Sequence, residues 1–197
     1  MEKVPNILST FRLILAPVFL ILFIQEQVFW RALGLAIFFV AAATDFIDGY
    51  IARRFDVESD LGIFLDPLAD KFLTFAGFFC LPFLDPNQFP WWAVVLIVIR
   101  DVAITSLRVY ANRKGISMET RITAKAKTAL QMIFLYIALS FGLLMLFGGR
   151  FGEIIDSVLA SDVFFWGMMV VVAVTLYSGI EYLVVNRSLF RNRSVKS

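Results

Sequence analysis

Apolar runs of about 20 residues recur along the whole of this 197-residue chain, and that repetition constrains the fold more than any motif does. Six runs stand out, at roughly 10–27, 30–53, 61–84, 90–111, 126–147 and 162–185. A helix of that length matches the hydrocarbon thickness of a bilayer. The chain is 60% hydrophobic, more than a soluble core of this size can hide. Lipid admits only helices or closed barrels, and no strand-like alternation is sustained. The expectation is an all-α integral membrane protein, six transmembrane helices in a bundle. The connections are short and polar, so residues 1–197 read as a single membrane domain with no linker.

The start, MEKVPNILSTFRLILAPVFLILF, has a charged front but no small-residue cleavage site after its long apolar stretch. The first span is therefore expected to stay. There is no histidine, which excludes a His general base and a His-ligated metal. Cys80 is the only cysteine, which excludes disulfides and thiolate clusters. With six spans both termini share one side. Fourteen of the 18 Lys and Arg fall at helix ends on that side, against Arg31 and Arg150 opposite. The bias places both termini in the cytoplasm.

Against this background the segment TDFIDGYIARRFDVESDLGIFLDPLADK, residues 44–71, carries seven acids. Asp45, Asp48, Gly49 and Ala52 share one helical face, and so do Gly62, Asp66 and Asp70. Each span thus offers two carboxylates backed by small residues that leave room for a ligand or a neighbouring helix. An unpaired charge within a membrane helix costs roughly 2.5–3.5 kcal/mol, so four carboxylates need compensating cations. Oxygen-only ligands select hard divalent ions, Mg²⁺ or Mn²⁺, and two such ions balance four carboxylates. A paired-metal site suits phosphoryl chemistry. Asp56, Glu58 and Asp60 read instead as acids of a wet connection.

Residues 45–70 spell D-x2-D-G-x2-A-R-x8-G-x3-D-x3-D without a break. Eight fixed positions at about 5% each make a chance match on the order of one in 10¹⁰ per start position. The pattern resembles the signature of the CDP-alcohol phosphatidyltransferase family. VPNILSTFRLILAP near the start and residues 100–131 resemble the family's bacterial phosphatidylglycerophosphate synthase branch. One departure is Ala124-Lys125-Ala126-Lys127-Thr128, where that branch usually has Gly-Lys-x-Lys-Thr.

The resemblance implies a cytoplasm-facing polar cavity, usually in a homodimer, in a bacterial inner membrane. It implies transfer of a phosphatidyl group from CDP-diacylglycerol to sn-glycerol 3-phosphate with release of CMP. Partners are then those substrates and membrane lipids, and no nucleic acid. Asp45, Asp48, Asp66 and Asp70 become ligands of two divalent cations. Asp70 is also the family's proposed base, although a metal-bound carboxylate is a weak one. Gly49, Ala52, Arg53 and Gly62 match positions around the cytidine nucleotide. Ser59 is a further nucleotide contact or a solvated loop serine. Asn6 and Ser9 line the CDP pocket on this reading and cap the first helix on a plainer one.

An acceptor phosphate needs cations, and Arg108, Lys125 and Lys127 are the candidates. Lys125 and Lys127 are two residues apart, so the spacing predicts that they do not share a helix face. Arg100 and Asp101 form an ionisable pair inside an apolar run, functional or structural. An alternative keeps the chemistry and changes the acceptor to inositol phosphate, serine or phosphatidylglycerol. A transporter with an acid relay accounts for the buried acids but not for the fixed small residues and Arg53.

Overall fold

A computed structural model describes the backbone of residues 3–55, 60–113, 122–147 and 149–186. Side chains are described for 11–44, 71–111, 123–147, 149, 152–159 and 161–186. Among the described residues there are seven helices and no strand. They are α1 (Lys3–Phe23), α2 (Val28–Phe55), α3 (Asp60–Leu84), α4 (Trp91–Arg113), α5 (Ile122–Leu144), α6 (Arg150–Ala160) and α7 (Val163–Val185).

One long helix occupies most of each of the six apolar runs, with α1 ending at Phe23 and α5 at Leu144, short of the expected 27 and 147. Two helices are long and apolar enough over their described residues to cross a bilayer. They are Thr123–Leu144 and Val163–Val185, with mean hydropathies of 1.6 and 2.0. Shorter apolar stretches occupy Phe11–Phe23, Val28–Thr44 and Lys71–Leu84. Short loops make successive long helices antiparallel. These three stretches therefore meet at one end of the bundle, and the acid-rich halves of α2 and α3 meet at the other. All four tryptophans (Trp30, Trp91, Trp92 and Trp166) lie near the starts of α2, α4 and α7, at the apolar end. Tryptophan concentrates where a bilayer meets water.

The sequence did not announce α6. At 11 residues it is too short to span. Gly149, at φ +80°, makes the turn into it. It buries Gly152 and Ile155 and exposes Glu153, Ile154 and Asp156.

The helices pack in two groups that share a core. α1 lies against both α2 and α3, while α7 lies against α4 and α5. Phe19, Phe38, Phe78, Leu81, Ile97, Leu135, Leu139 and Met168 are buried between them. Phe19 meets Phe38 with ring centroids 4.9 Å apart, and Phe89 meets Phe164 at 5.6 Å. Close approach depends on glycine. A Cβ at Gly34 would stand 3.0 Å from the Phe23 backbone nitrogen across the α1–α2 hairpin. One at Gly77 would stand 2.6 Å from Leu135 Cδ2 across the α3–α5 contact. Small residues let helix backbones approach where lipid gives no hydrophobic drive for association.

The outer surface is apolar. Phe29, Ile99, Val163, Trp166, Tyr177 and Ile180 are each at least 60% exposed. Such a surface is unfavourable in water and at home among acyl chains.

Candidate active site

Asp101 sits halfway along α4 with no side-chain surface exposed. An isolated carboxylate there is prohibitively costly, and three cations converge on it. Lys71 of α3 places Nζ 3.1 Å from Oδ2. Arg100 places Nη1 2.9 Å from Oδ1. Lys127 of α5 donates to Oδ1 as well. Lys127 is only 2% exposed. Among the described residues, one carboxylate faces three cations here, a local excess of two positive charges.

Those three cations form one wall of a cavity of about 460 Å³. Among the described residues, Arg108 and Lys125 add to its charged lining, with Ile104, Thr105, Ala124, Thr128, Ala129 and Tyr182 between them. Arg108 stacks over the Tyr182 ring of α7 at 5.6 Å. Arg100 reaches the same helix, where Nη2 donates to Ser178 Oγ at 2.8 Å. Gly179 makes room for that crossing, because a Cβ there would stand 3.0 Å from Arg100 Nε. Thr123 Oγ1 donates to Glu181 Oε2 at 2.5 Å and ties α5 to α7. Deeper in, Gln131 Nε2 donates to Thr175 Oγ1 at 3.2 Å.

The cavity gathers Arg108, Lys125 and Lys127 into one place. The two lysines occupy different faces of α5, as their spacing predicts. They leave α5 about 200° apart, yet both line the cavity. The cavity wraps the first turns of α5, and a lysine stem is long enough to bend around them. Lys127 runs inward to Asp101 while Lys125 stays exposed. Sequence reasoning assigned Lys71 no place in the site and left the Arg100–Asp101 pair open between a functional and a structural role. Their signal was charge inside an apolar run; which charges meet was not in it.

The remaining candidates are placed by backbone alone. Asn6 and Ser9 fall in α1, Asp45, Asp48, Gly49, Ala52 and Arg53 in α2, and Gly62, Asp66 and Asp70 in α3. Their side chains lie outside the described residues, and Ser59 lies outside them altogether. Helical backbone puts Asp45 and Asp48 one turn apart, and likewise Asp66 and Asp70. Both helices pack on α1. Four carboxylates from two helices, with no nitrogen or sulfur donor among them, fit hard divalent cations. Asp70 directly precedes Lys71, so the α3 aspartates adjoin the cavity wall in the chain.

The described residues form an all-helical fold, compatible with a membrane protein, in which cations gather around a cavity next to the α3 segment that carries Asp66 and Asp70. Residues 2–177 match the family described as CDP-alcohol phosphatidyltransferase, and the chain belongs to that family. It is 31% identical over 177 residues to a Rickettsia bellii protein, covering 90% of this chain and 93% of that one. It is 29% identical over 190 residues to a Rickettsia typhi protein, covering 96% of this chain and 100% of that one. A Bacillus subtilis protein is 32% identical over 145 residues, 68% of this chain and 74% of its own. All three carry the name CDP-diacylglycerol--glycerol-3-phosphate 3-phosphatidyltransferase.

Proposed function

We propose that the chain transfers the phosphatidyl group of CDP-diacylglycerol to sn-glycerol 3-phosphate, giving phosphatidylglycerophosphate and CMP. The observation that carries the acceptor is the cavity lined by Lys71, Arg100, Arg108, Lys125 and Lys127. A phosphate dianion matches the excess of two positive charges among the described residues around Asp101 and takes forked hydrogen bonds from arginine. Serine, which has no phosphate, does not match it. The names of the relatives point to the same acceptor.

In the reaction the acceptor hydroxyl oxygen attacks the phosphorus on the diacylglycerol side of the pyrophosphate. The bond from that phosphorus to the CMP oxygen breaks, and the hydroxyl proton passes to a base, for which Asp70 is the candidate. Asp45, Asp48, Asp66 and Asp70 would hold two divalent cations, Mg²⁺ or Mn²⁺. Such cations, when bound, withdraw charge from the pyrophosphate oxygens and from the leaving CMP. Arg53 is assigned to a nucleotide phosphate. Gly49, Ala52 and Gly62 leave space beside the nucleotide, with Asn6, Ser9 and Ser59 as further contacts. Arg108 and Lys125 hold the acceptor phosphate against the wall formed by Lys127. The chain acts as a six-span homodimer, with its cavity and both termini on the cytoplasmic side of a bacterial inner membrane.

The test uses purified protein in detergent with CDP-diacylglycerol, labelled glycerol 3-phosphate and Mg²⁺. Label is expected to enter lipid, to stop entering with EDTA, and to fall by about a hundredfold or more in Asp66→Asn. Transfer that ignores the chelator rules out the metal assignment. Label carried into lipid only from inositol phosphate or serine rules out the acceptor.

A further inference from the structure

We infer that Asp101 is a positioning residue for the acceptor: it stands behind the cavity wall and sets Lys71, Arg100 and Lys127 in register. The inference rests on the acceptor reading above and deepens it.

Asp101 does not line the cavity, but all three of its cationic partners do. A carboxylate serving only to neutralise one buried cation needs one partner. This one takes three, from three different helices. Lysine is a flexible point charge with several accessible rotamers, and an anion behind it selects one of them. Oδ1 takes Arg100 and Lys127 together, while Oδ2 takes Lys71. The two oxygens thus fix the relative positions of α3, α4 and α5 at the depth where the cavity closes. Ser178 holds the other end of the Arg100 guanidinium from α7.

Lys71 gives the arrangement its reach. It is the residue after Asp70, so the bond from Asp101 to Lys71 also anchors the α3 segment that carries the predicted metal ligand and base. Acceptor phosphate and reacting centre are thereby referenced to one carboxylate. Misplacing either group by about 1 Å costs up to roughly a hundredfold in rate.

Two tests separate positioning from bulk stability. The first measures KM for each substrate in Asp101→Asn and Asp101→Glu. Asp101→Asn is expected to raise the acceptor KM about tenfold and lower kcat, with the CDP-diacylglycerol KM within about twofold of wild type. Asp101→Glu, which keeps the charge, is expected to recover part of both losses. An unchanged acceptor KM and kcat, or an equal rise in both KM values with no rescue by glutamate, overturns the inference.

The second compares Lys127→Met with Asp101→Asn/Lys127→Met. The double variant carries one buried cation fewer than Asp101→Asn alone, so this comparison holds if Asp101→Asn alone does not fold. Lys71 and Arg100 are still held by Asp101 in Lys127→Met and are released in the double variant. Adding Asp101→Asn to Lys127→Met is therefore expected to raise the acceptor KM a further severalfold, with the CDP-diacylglycerol KM within about twofold. An unchanged acceptor KM, or an equal rise in both KM values, overturns the inference. Wild-type protein that transfers nothing to glycerol 3-phosphate removes the acceptor reading and the inference with it. Active wild type with an indifferent Asp101→Asn removes the inference alone.

Discussion

At the scale of single residues, the site depends on where side chains are missing as well as where they are charged. Arg100 crosses from α4 to α7 because position 179 is glycine. A Cβ there would approach Nε to 3.0 Å and Cγ to 3.1 Å, tighter than most real contacts. Gly179→Ala is therefore expected to push the guanidinium off Ser178 and away from Asp101. The cost in stability is about 1–3 kcal/mol, as for other overpacking changes. The acceptor KM should rise severalfold while the CDP-diacylglycerol KM holds. Steady-state rates against each substrate check this, and an unmoved acceptor KM would mean the Arg100 crossing is dispensable. The residues that sequence exposes well are those whose meaning is their spacing along one helix. Asp45, Asp48, Asp66 and Asp70 are of that kind, because helical periodicity alone stacks them in pairs. Asp101 is the opposite case. Its partners come from positions 71, 100 and 127, and no local pattern joins 71 to 127.

At the scale of helices, the apolar runs were legible because lipid forces every spanning backbone to bond within itself. How helix ends are finished was not legible, because the partners are remote in sequence. Arg31 at the start of α2 is buried and satisfies carbonyls left over at two other helix ends. Nε donates to Phe23 O at 3.0 Å and Gln25 O at 3.1 Å, and Nη1 to Gly142 O at 2.9 Å. Its guanidinium also stands over the Phe23 ring at 5.6 Å. By charge alone Arg31 was just one of the few cations on the less basic side. Gln88 plays a similar part for α7, its side-chain oxygen accepting from Phe165 N at 3.0 Å. Arg31→Ala strands the Phe23 and Gly142 carbonyls, and roughly 1–3 kcal/mol is lost for each. The unfolding midpoint in detergent should fall clearly. Arg31→Lys should lie between, since one ammonium cannot span carbonyls that a forked guanidinium bridges. KM for both substrates should stay near wild type in any folded fraction, because Arg31 is at the end of the bundle away from the cavity. A loss of acceptor affinity with no loss of stability would contradict this.

At the scale of the whole molecule, the two ends of the bundle have opposite chemistry, and that asymmetry decides where the reaction can occur. One end carries all four tryptophans, Arg31 and α6. The other carries the acid-bearing halves of α2 and α3, the cation-lined cavity and most of the lysine and arginine. Both proposed substrates carry charged groups that do not cross a bilayer unaided, a nucleotide and a phosphate. On the proposed reaction, the cavity opens on the side where nucleotides are made. Lysine and arginine bias points the same way, to the cytoplasm. The chain offers a direct test because its single cysteine, Cys80, is buried. Wild type should stay unlabelled by a membrane-impermeant maleimide and serve as the background. Asp162→Cys, at an exposed position just before α7, should be labelled on intact cells. Lys196→Cys, near the C-terminus, should be labelled only after the cells are opened. Label at both positions from the same side would mean that α7 does not cross the membrane. Inverted insertion would exchange the two results and leave the cavity facing a compartment without nucleotide, which would remove the proposed reaction whatever the site residues do in detergent.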